Sequence, residues 1–327
     1  MRPFEYASPR QKEQAVALLG ESWADAQVLA GGTDLLALMK DDVVSPKRLV
    51  DIKSVAGMNT VTFSPGTGLR VGALVRLQDF ADHAEVRRRY PMLAHAAGDA
   101  ASPQIRNMAT LGGNLCQRPR CWYFRNGLGL VPKSEGGKSP VLEGDNRYHA
   151  ILGNDGPAYF VSPSSVAPAL IALGARARIF GPGGAREVPL EKFFRIPLSE
   201  SDREHDLKPN EIVTEIVVPA PAGMRTGHYE VRQREDFDWP LATASVALAL
   251  NGGAVRSARV VLGHVAPVPW LSEEAAVALA GKTIDERTAE AAGVAALAKA
   301  KSLGRNEYKI QLARVAIKRA LLAAAKA

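Results

Sequence analysis

Two stretches of the chain combine residues that can hold an anion through the backbone. Val28-Leu29-Ala30-Gly31-Gly32-Thr33-Asp34-Leu35 is a short apolar run that breaks on two glycines and restarts as a helix. Neither glycine carries a Cβ, so the backbone can turn tightly and come close to a ligand. Its N–H groups, with those of the helix start, face one concavity where the helix dipole favours negative charge. Thr33 adds a hydroxyl. Read alone, the same residues also make a plain strand-to-helix turn in which Thr33 or Asp34 caps the following helix and nothing is bound. The second stretch, Ala101 to Leu115, sets Gly112-Gly113 between the hydroxyl of Thr110 and the amide of Asn114, with Ser102-Pro103 upstream. Two such cradles suit a ligand with two phosphates.

The other residue types that carry chemistry form no pattern of their own. His83, His95, His149, His205, His228 and His264 are scattered without metal-ligand spacing, so each reads as a surface or hydrogen-bonded residue. No Ser-His-Asp arrangement and no paired carboxylates stand out from spacing. That absence suits a chain whose reaction belongs to a bound cofactor, with the protein supplying position and polarity. Cys116 and Cys121 are too few for a disulfide framework and fit a reducing compartment.

The elements that must position the cradles can be read in order. Ser8-Pro9-Arg10-Gln11 reads as a capping box that opens a first helix with Ala15, Val16, Leu18 and Leu19 on its apolar stripe. A strand at 26–30, the first cradle with its helix, and a strand at 48–52 make a small α/β unit. It lacks Gly-x-Gly-x-x-Gly, so the NAD fingerprint is absent. Alternation at 60–73 predicts a hairpin. A helix near 77–83 and a helical pair broken at Pro91 then lead to the second cradle. Residues 151–168 read as strand and turn, 169–173 as a short helix, 175–180 as a strand, and 211–219 as a β-branched strand. Pro219-Ala220-Pro221-Ala222-Gly223 reads as a linker. Strands at 227–233, 242–250 and 256–262 precede an alanine-rich tail. There Ile310, Ala313, Ile317, Ala320 and Leu321 recur at helical spacing, with Lys309, Arg314, Lys318 and Arg319 largely on the other faces.

Composition is that of an ordinary globular chain: 327 residues, 46% hydrophobic and 23% charged. No apolar run approaches a membrane span, and the N-terminus lacks the apolar core of a signal peptide. The expected compartment is cytoplasmic, or periplasmic by export with a partner that carries a signal. The formal charge is +7. Residues 281–327 hold ten Lys/Arg against four Asp/Glu, so most of the excess sits there. Without aromatic interleaving or a nucleic-acid motif, this reads as a solvated face or a docking face for an acidic partner subunit, and no nucleic acid is expected.

The pair "VLAGGTDLL" and "SPQIRNMATLGGNL" resembles the FAD-binding (medium) subunit of the molybdenum hydroxylases, the xanthine dehydrogenase and aldehyde oxidoreductase family. So do "DFDWPLATASVAL" (236–248), "VLGHVAPVPW" (261–270) and "YKIQLARVAIKRAL" (308–321), most closely in the bacterial aldehyde oxidoreductase branch. The resemblance spans nearly the whole chain. It implies an α+β fold: residues 1–223 as an FAD-binding domain of two α/β subdomains, about 1–58 and 59–223, of the PCMH or vanillyl-alcohol-oxidase-like kind. Residues 224–327 would then be an antiparallel sheet plus helices like the C-terminal domain of CO dehydrogenase flavoproteins. The implied contacts to FAD are Val28, Leu29, Ala30, Gly31, Gly32, Thr33, Asp34 and Leu35, then Ser102, Thr110, Gly112, Gly113, Asn114 and Ser165. Gly31, Gly32, Thr33 and Gly113 would offer N–H groups to phosphate, and Thr110 and Asn114 side-chain bonds. Asp34 would cap its helix or touch a hydroxyl. The implied function is electron transfer, from a small subunit with two [2Fe-2S] clusters to an external electron acceptor. Substrate oxidation would take place on a molybdopterin-binding large subunit. Two rivals are a stand-alone flavin oxidase and a cofactor-poor scaffold subunit.

The sequence also departs from that family. Ser165 stands where relatives carry an aspartate, and Glu230 where they often carry lysine. Several relatives hold an extra four-iron cluster by four cysteines in a loop matched here by residues 116–147. Only Cys121 matches a ligand position, and two cysteines cannot hold such a cluster. No iron-sulfur cluster is therefore expected in this chain.

Overall fold

The computed structural model describes residues 1–234 and 237–326. Three sheets organise the chain. A small parallel sheet is built from β1 (Glu5–Ala7), β2 (Ala26–Leu29) and β3 (Arg48–Asp51) in the order β1-β3-β2. An antiparallel sheet takes β4 (Val61–Ser64), β5 (Gly68–Gly72), β6 (Arg176–Gly181), β7 (Gly184–Pro189) and β8 (Ile212–Val218) in the order β4-β5-β8-β6-β7. The third uses β9 (Arg225–Val231), β10 (Ala242–Asn251), β11 (Ala254–Gly263) and β12 (Trp270–Leu271) in the order β12-β11-β10-β9.

Strand β10 explains how the third sheet joins the rest. Its first seven residues, Ala242 to Leu248, are buried, because the strand is covered on both faces. Ala244, Val246 and Leu248 enter a core shared with Ala313, Ile317, Ala320 and Leu321 of the helix Tyr308–Lys326. Ala247 points the other way, into the core of the antiparallel five-stranded sheet. The period of two thus makes one strand the wall between two cores. The helix lies so close to β9 that a Cβ on Gly227 would sit 2.1 Å from the Ala320 carbonyl oxygen. At this crossing only glycine fits.

The structure corrects four sequence expectations. The first helix is Lys12–Leu18 with Gln11 at its N-cap and no side-chain cap bond, so Ser8 does not open it. Strand β1 was not foreseen: three residues beside Pro3 carry too little pattern, and the strand forms by pairing with β3. Residues 151–168 hold no named strand, since their buried backbone is satisfied by loop contacts such as Ile151 N–H to Val265 O at 2.8 Å. Lys309 is buried, not on an outer face, and donates to the carbonyls of Tyr148, His149 and His264 at 2.8–3.1 Å. Asp236, which opens one of the segments that resemble the family, lies outside the described residues.

Candidate functional site

Both glycine pairs line one cavity of about 380 Å³, a volume in the range of ligand pockets. The first cradle begins where β2 ends. Apolar Val28 and Leu29 belong to the strand, and Gly32, at φ +75°, turns the chain into the helix Leu35–Lys40. An L side chain is strained at such a φ, so the glycine is required for conformation. Among the described residues, the N–H groups of Gly31, Gly32, Thr33, Asp34 and Leu35 meet no acceptor. Consecutive unpaired N–H groups beside a helix start form an anion-binding concavity.

The second cradle is built otherwise. Thr110 is the N-cap of the helix Leu111–Cys116 and its Oγ1 accepts from Gly113 N–H at 3.1 Å. Leu111 donates to Val75 O, Gly112 to Ala73 O and Asn114 to Thr110 O, at 2.8–2.9 Å. The expectation that Gly113 turns its N–H to a phosphate is therefore corrected: the helix cap holds that proton. Gly112 is a glycine because a Cβ there would lie 2.7 Å from the Cβ of Ala73. Gly31 likewise abuts Met108, whose carbonyl oxygen would be 2.0 Å from a Cβ. This backbone contact brings the two cradles into one wall.

The remaining expected residues divide. Val28, Ala30, Thr33, Leu35, Ser102, Asn114 and Ser165 line the cavity. Leu29 does not; it packs with Met39 and Leu49 in a separate apolar cluster, because alternation along β2 turns it from the cavity. Ser102 caps the helix Pro103–Arg106 by accepting from Ile105 N–H at 3.3 Å. Asn114 Oδ1 accepts from Ser164 at 2.7 Å, so its amide nitrogen is the end left for a ligand. Glu230 does not reach the cavity and is buried between His228 and Arg232.

Asp34 differs most from expectation. It makes no side-chain cap bond. Instead, Oδ2 accepts from Arg118 N–H at 2.7 Å, and Oδ1 meets Arg125 at 2.6 Å and Arg120 at 3.1 Å. Arg118 continues to Glu204 at 2.7 Å. Burial pushes the Glu204 carboxyl above its usual range, against the charge of Arg118. The neighbouring His205, which lines the cavity, is driven down to about 4 by burial and by Arg118. Sequence reading missed Arg118, Arg120 and Arg203, and the tryptophans beneath them. Arg120 lies 4.9 Å over the Trp239 ring and Arg203 4.3 Å over Trp23, and all four line the cavity. The only signal was the Arg-Pro-Arg run between the cysteines, and its partner Asp34 is 84 positions away.

Around the cysteines, Cys121 Sγ lies 3.1 Å from His149 Nε2, with Trp122 and Tyr123 edge-on to that imidazole. Burial pushes the Cys116 thiol up to about 12 and His149 down to about 4, so both are neutral near pH 7. No group of three or more metal-ligating side chains is present among the described residues.

The family described as the FAD binding domain in molybdopterin dehydrogenase matches residues 2–221, and the CO dehydrogenase flavoprotein C-terminal domain matches residues 227–324. The chain belongs to the FAD subunits of the molybdenum hydroxylases. It is 35% identical to the aldehyde oxidoreductase FAD-binding subunit PaoB of Escherichia coli over 84% of this chain and 85% of that one. It is 32% identical to the carbon monoxide dehydrogenase medium chain of Hydrogenophaga pseudoflava over 98% and 96%. The solved carbon monoxide dehydrogenase from that organism superposes with a TM-score of 0.76 over 99% of this chain and 98% of its counterpart, at 32% identity. As a member of these FAD subunits, the chain is an oxidoreductase component that carries FAD and serves in electron transfer. Its relatives are medium subunits of multi-subunit complexes, and no helix among the described residues is long and apolar enough to cross a membrane. The cavity fits FAD on its own terms: among the described residues five adjacent free N–H groups suit a diphosphate, and the carboxylate within that run, Asp34, is already held by arginines.

Proposed function

We propose that Gly31 to Leu35 hold the FAD diphosphate through their free N–H groups, and this run is the observation that carries the reading. Val28 and Ala30 form the apolar approach to that turn, while Thr33, Ser102, Thr110, Asn114 and Ser165 present polar side chains to the same ligand. Gly112 and Gly113 keep the opposite wall thin enough for it. When bound, FAD supplies exchange between one-electron and two-electron partners. The protein orients it, and the largely apolar lining of Val28, Leu38, Leu74, Leu77 and Ile212 limits water around it.

In this reading residues 1–223 are the FAD-binding unit, with subdomains at about 1–58 and 59–223, and 224–327 the C-terminal α+β unit. The subunit receives electrons from a small subunit with two [2Fe-2S] clusters, which draws them from a molybdopterin-binding large subunit, and it delivers them to an external acceptor. The compartment is the cytoplasm, or the periplasm when a partner carries the export signal. Two free cysteines support a reducing site of folding.

The test is an FAD titration of the full chain and of Gly32→Val. The native chain should take up one FAD. The variant should lose it while its flavin-free form melts as a folded protein. Stoichiometric flavin in a folded Gly32→Val chain would refute the assignment of the first cradle.

A further inference from the structure

The arginines around Asp34 are not equivalent. Arg125 is fully engaged at its inner side, donating from Nη2 to Asp34 at 2.6 Å and to the Arg118 carbonyl at 3.1 Å, and from Nε to the Pro119 carbonyl at 2.8 Å. Arg118 is committed to Glu204 and stacked on Phe124, 4.7 Å from its ring centre. Arg120 has weaker ties. A single nitrogen, Nη2, reaches both Gln117 Oε1 at 3.2 Å and Asp34 at 3.1 Å, and the Asp34 carboxylate is already shared with two stronger donors. Its Nε is buried and has no acceptor among the described residues.

An orphaned buried N–H is costly unless a ligand or water meets it. Arg120 lines the cavity, and the plane of Trp239 steadies it from the side of the C-terminal sheet. Asp34 belongs to the free N–H run, so a guanidinium held on its carboxylate stands beside that run. A guanidinium is suited to such a place: it is always charged, planar and able to turn two donors toward neighbouring oxygens.

We propose that Arg120 is the cation that meets the negative charge of bound FAD, whether on its diphosphate or on the ring once reduced. This rests on the FAD reading above. Asp34 then acts as a positioning residue, because its carboxylate holds Arg120 in the wall.

The experiment uses the full chain, freed of flavin, as the native sequence, Arg120→Ala, Arg120→Gln and Arg120→Lys. Affinity for FAD and for ADP is measured by titration, the flavin midpoint potential by reductive titration, and folding by thermal melting. If the native chain binds no FAD, the FAD reading itself fails and no variant is needed to see it. Arg120→Ala should weaken FAD about 10- to 100-fold, the usual loss for a charge-assisted hydrogen bond. An equal loss for ADP supports the proposal and places the charge on the diphosphate. Unchanged ADP affinity with a more negative flavin potential supports it and places the charge on the ring. Arg120→Lys should recover part of whichever effect is seen, because it restores charge without the planar fork. Arg120→Gln replaces the alanine variant if that one fails to fold. FAD and ADP affinities within twofold of native, with an unchanged potential, would overturn the proposal.

Discussion

The two Gly-Gly turns share a dipeptide and one cavity but have different physical roles. The first leaves five consecutive N–H groups without acceptors among the described residues, while the second has its N–H groups from Leu111 to Asn114 bonded to Val75, Ala73 and Thr110. Gly32 is there for a positive φ, and Gly112 for contact with Ala73. A glycine pair therefore indicates close approach, and only the hydrogen-bond inventory tells whether a ligand or the chain itself approaches.

That contrast can be broken by substitution. Gly112→Val should cost the most stability, about 3 kcal/mol, because its Cβ lies 2.7 Å from the Cβ of Ala73 and 3.0 Å from its carbonyl oxygen, and overpacking of this kind moves backbone. Thermal melting of the flavin-free chain measures it. Gly32→Val, the variant used for the first cradle, should cost less, about 1–2 kcal/mol of strain at its φ of +75°, and should keep a cooperative melt while losing FAD, since its nearest obstacle is the movable Leu36 side chain at 2.9 Å. Equal loss of stability in the two variants would erase the distinction.

A smaller effect separates the side chains. Thr110→Ala removes a helix cap and should cost about 1 kcal/mol of stability. Thr110→Ser should restore it, as measured by chemical denaturation.

The effect that is smallest near neutral pH, and grows only below it, is one of protonation, and it reaches the surroundings of the first cradle more than the second. His205 lines the cavity beside Glu204 and Arg118, and its folded value is about 4 against an ordinary 6.5. Between these values the unfolded chain binds more protons than the folded one, so stability falls as pH drops from 6.5 toward 4. His205→Gln should flatten that part of the stability profile; His149 and His264, also pushed down to about 4, keep the remainder. An unaltered slope would show that His205 does not titrate on unfolding.

Much of this was legible in the sequence, for identifiable reasons. The strands at β2, β3, β6, β8, β10 and β11 fall where β-branched and apolar runs predict them, and the stripe Ala313, Ile317, Ala320, Leu321 is the buried face of the last helix. These elements are set by local periodicity. The cavity lining at Val28, Gly31, Thr33, Thr110 and Asn114 was visible because a turn and its caps are short-range chemistry. What could not be read depends on partners far along the chain. Asp34 finds its arginines 84 to 91 positions later, and Lys309 its carbonyl cage up to 161 positions earlier. Spacing carries no record of such pairings, so the sequence reads Asp34 as a helix cap or a contact to a hydroxyl, and Lys309 as lying off the apolar stripe.

The carbonyl cage of Lys309 makes the C-terminal helix a built-in reporter. Burial lowers this amine to about 7 while three carbonyl acceptors hold its three N–H donors, and the closed cage denies reagents access. Modification of Lys309 by an amine-reactive probe can then proceed only when the helix Tyr308–Lys326 lifts from the loop at Tyr148-His149. The labelling rate at this one side chain therefore serves as a clock for opening of the seam between the last helix and the rest of the chain.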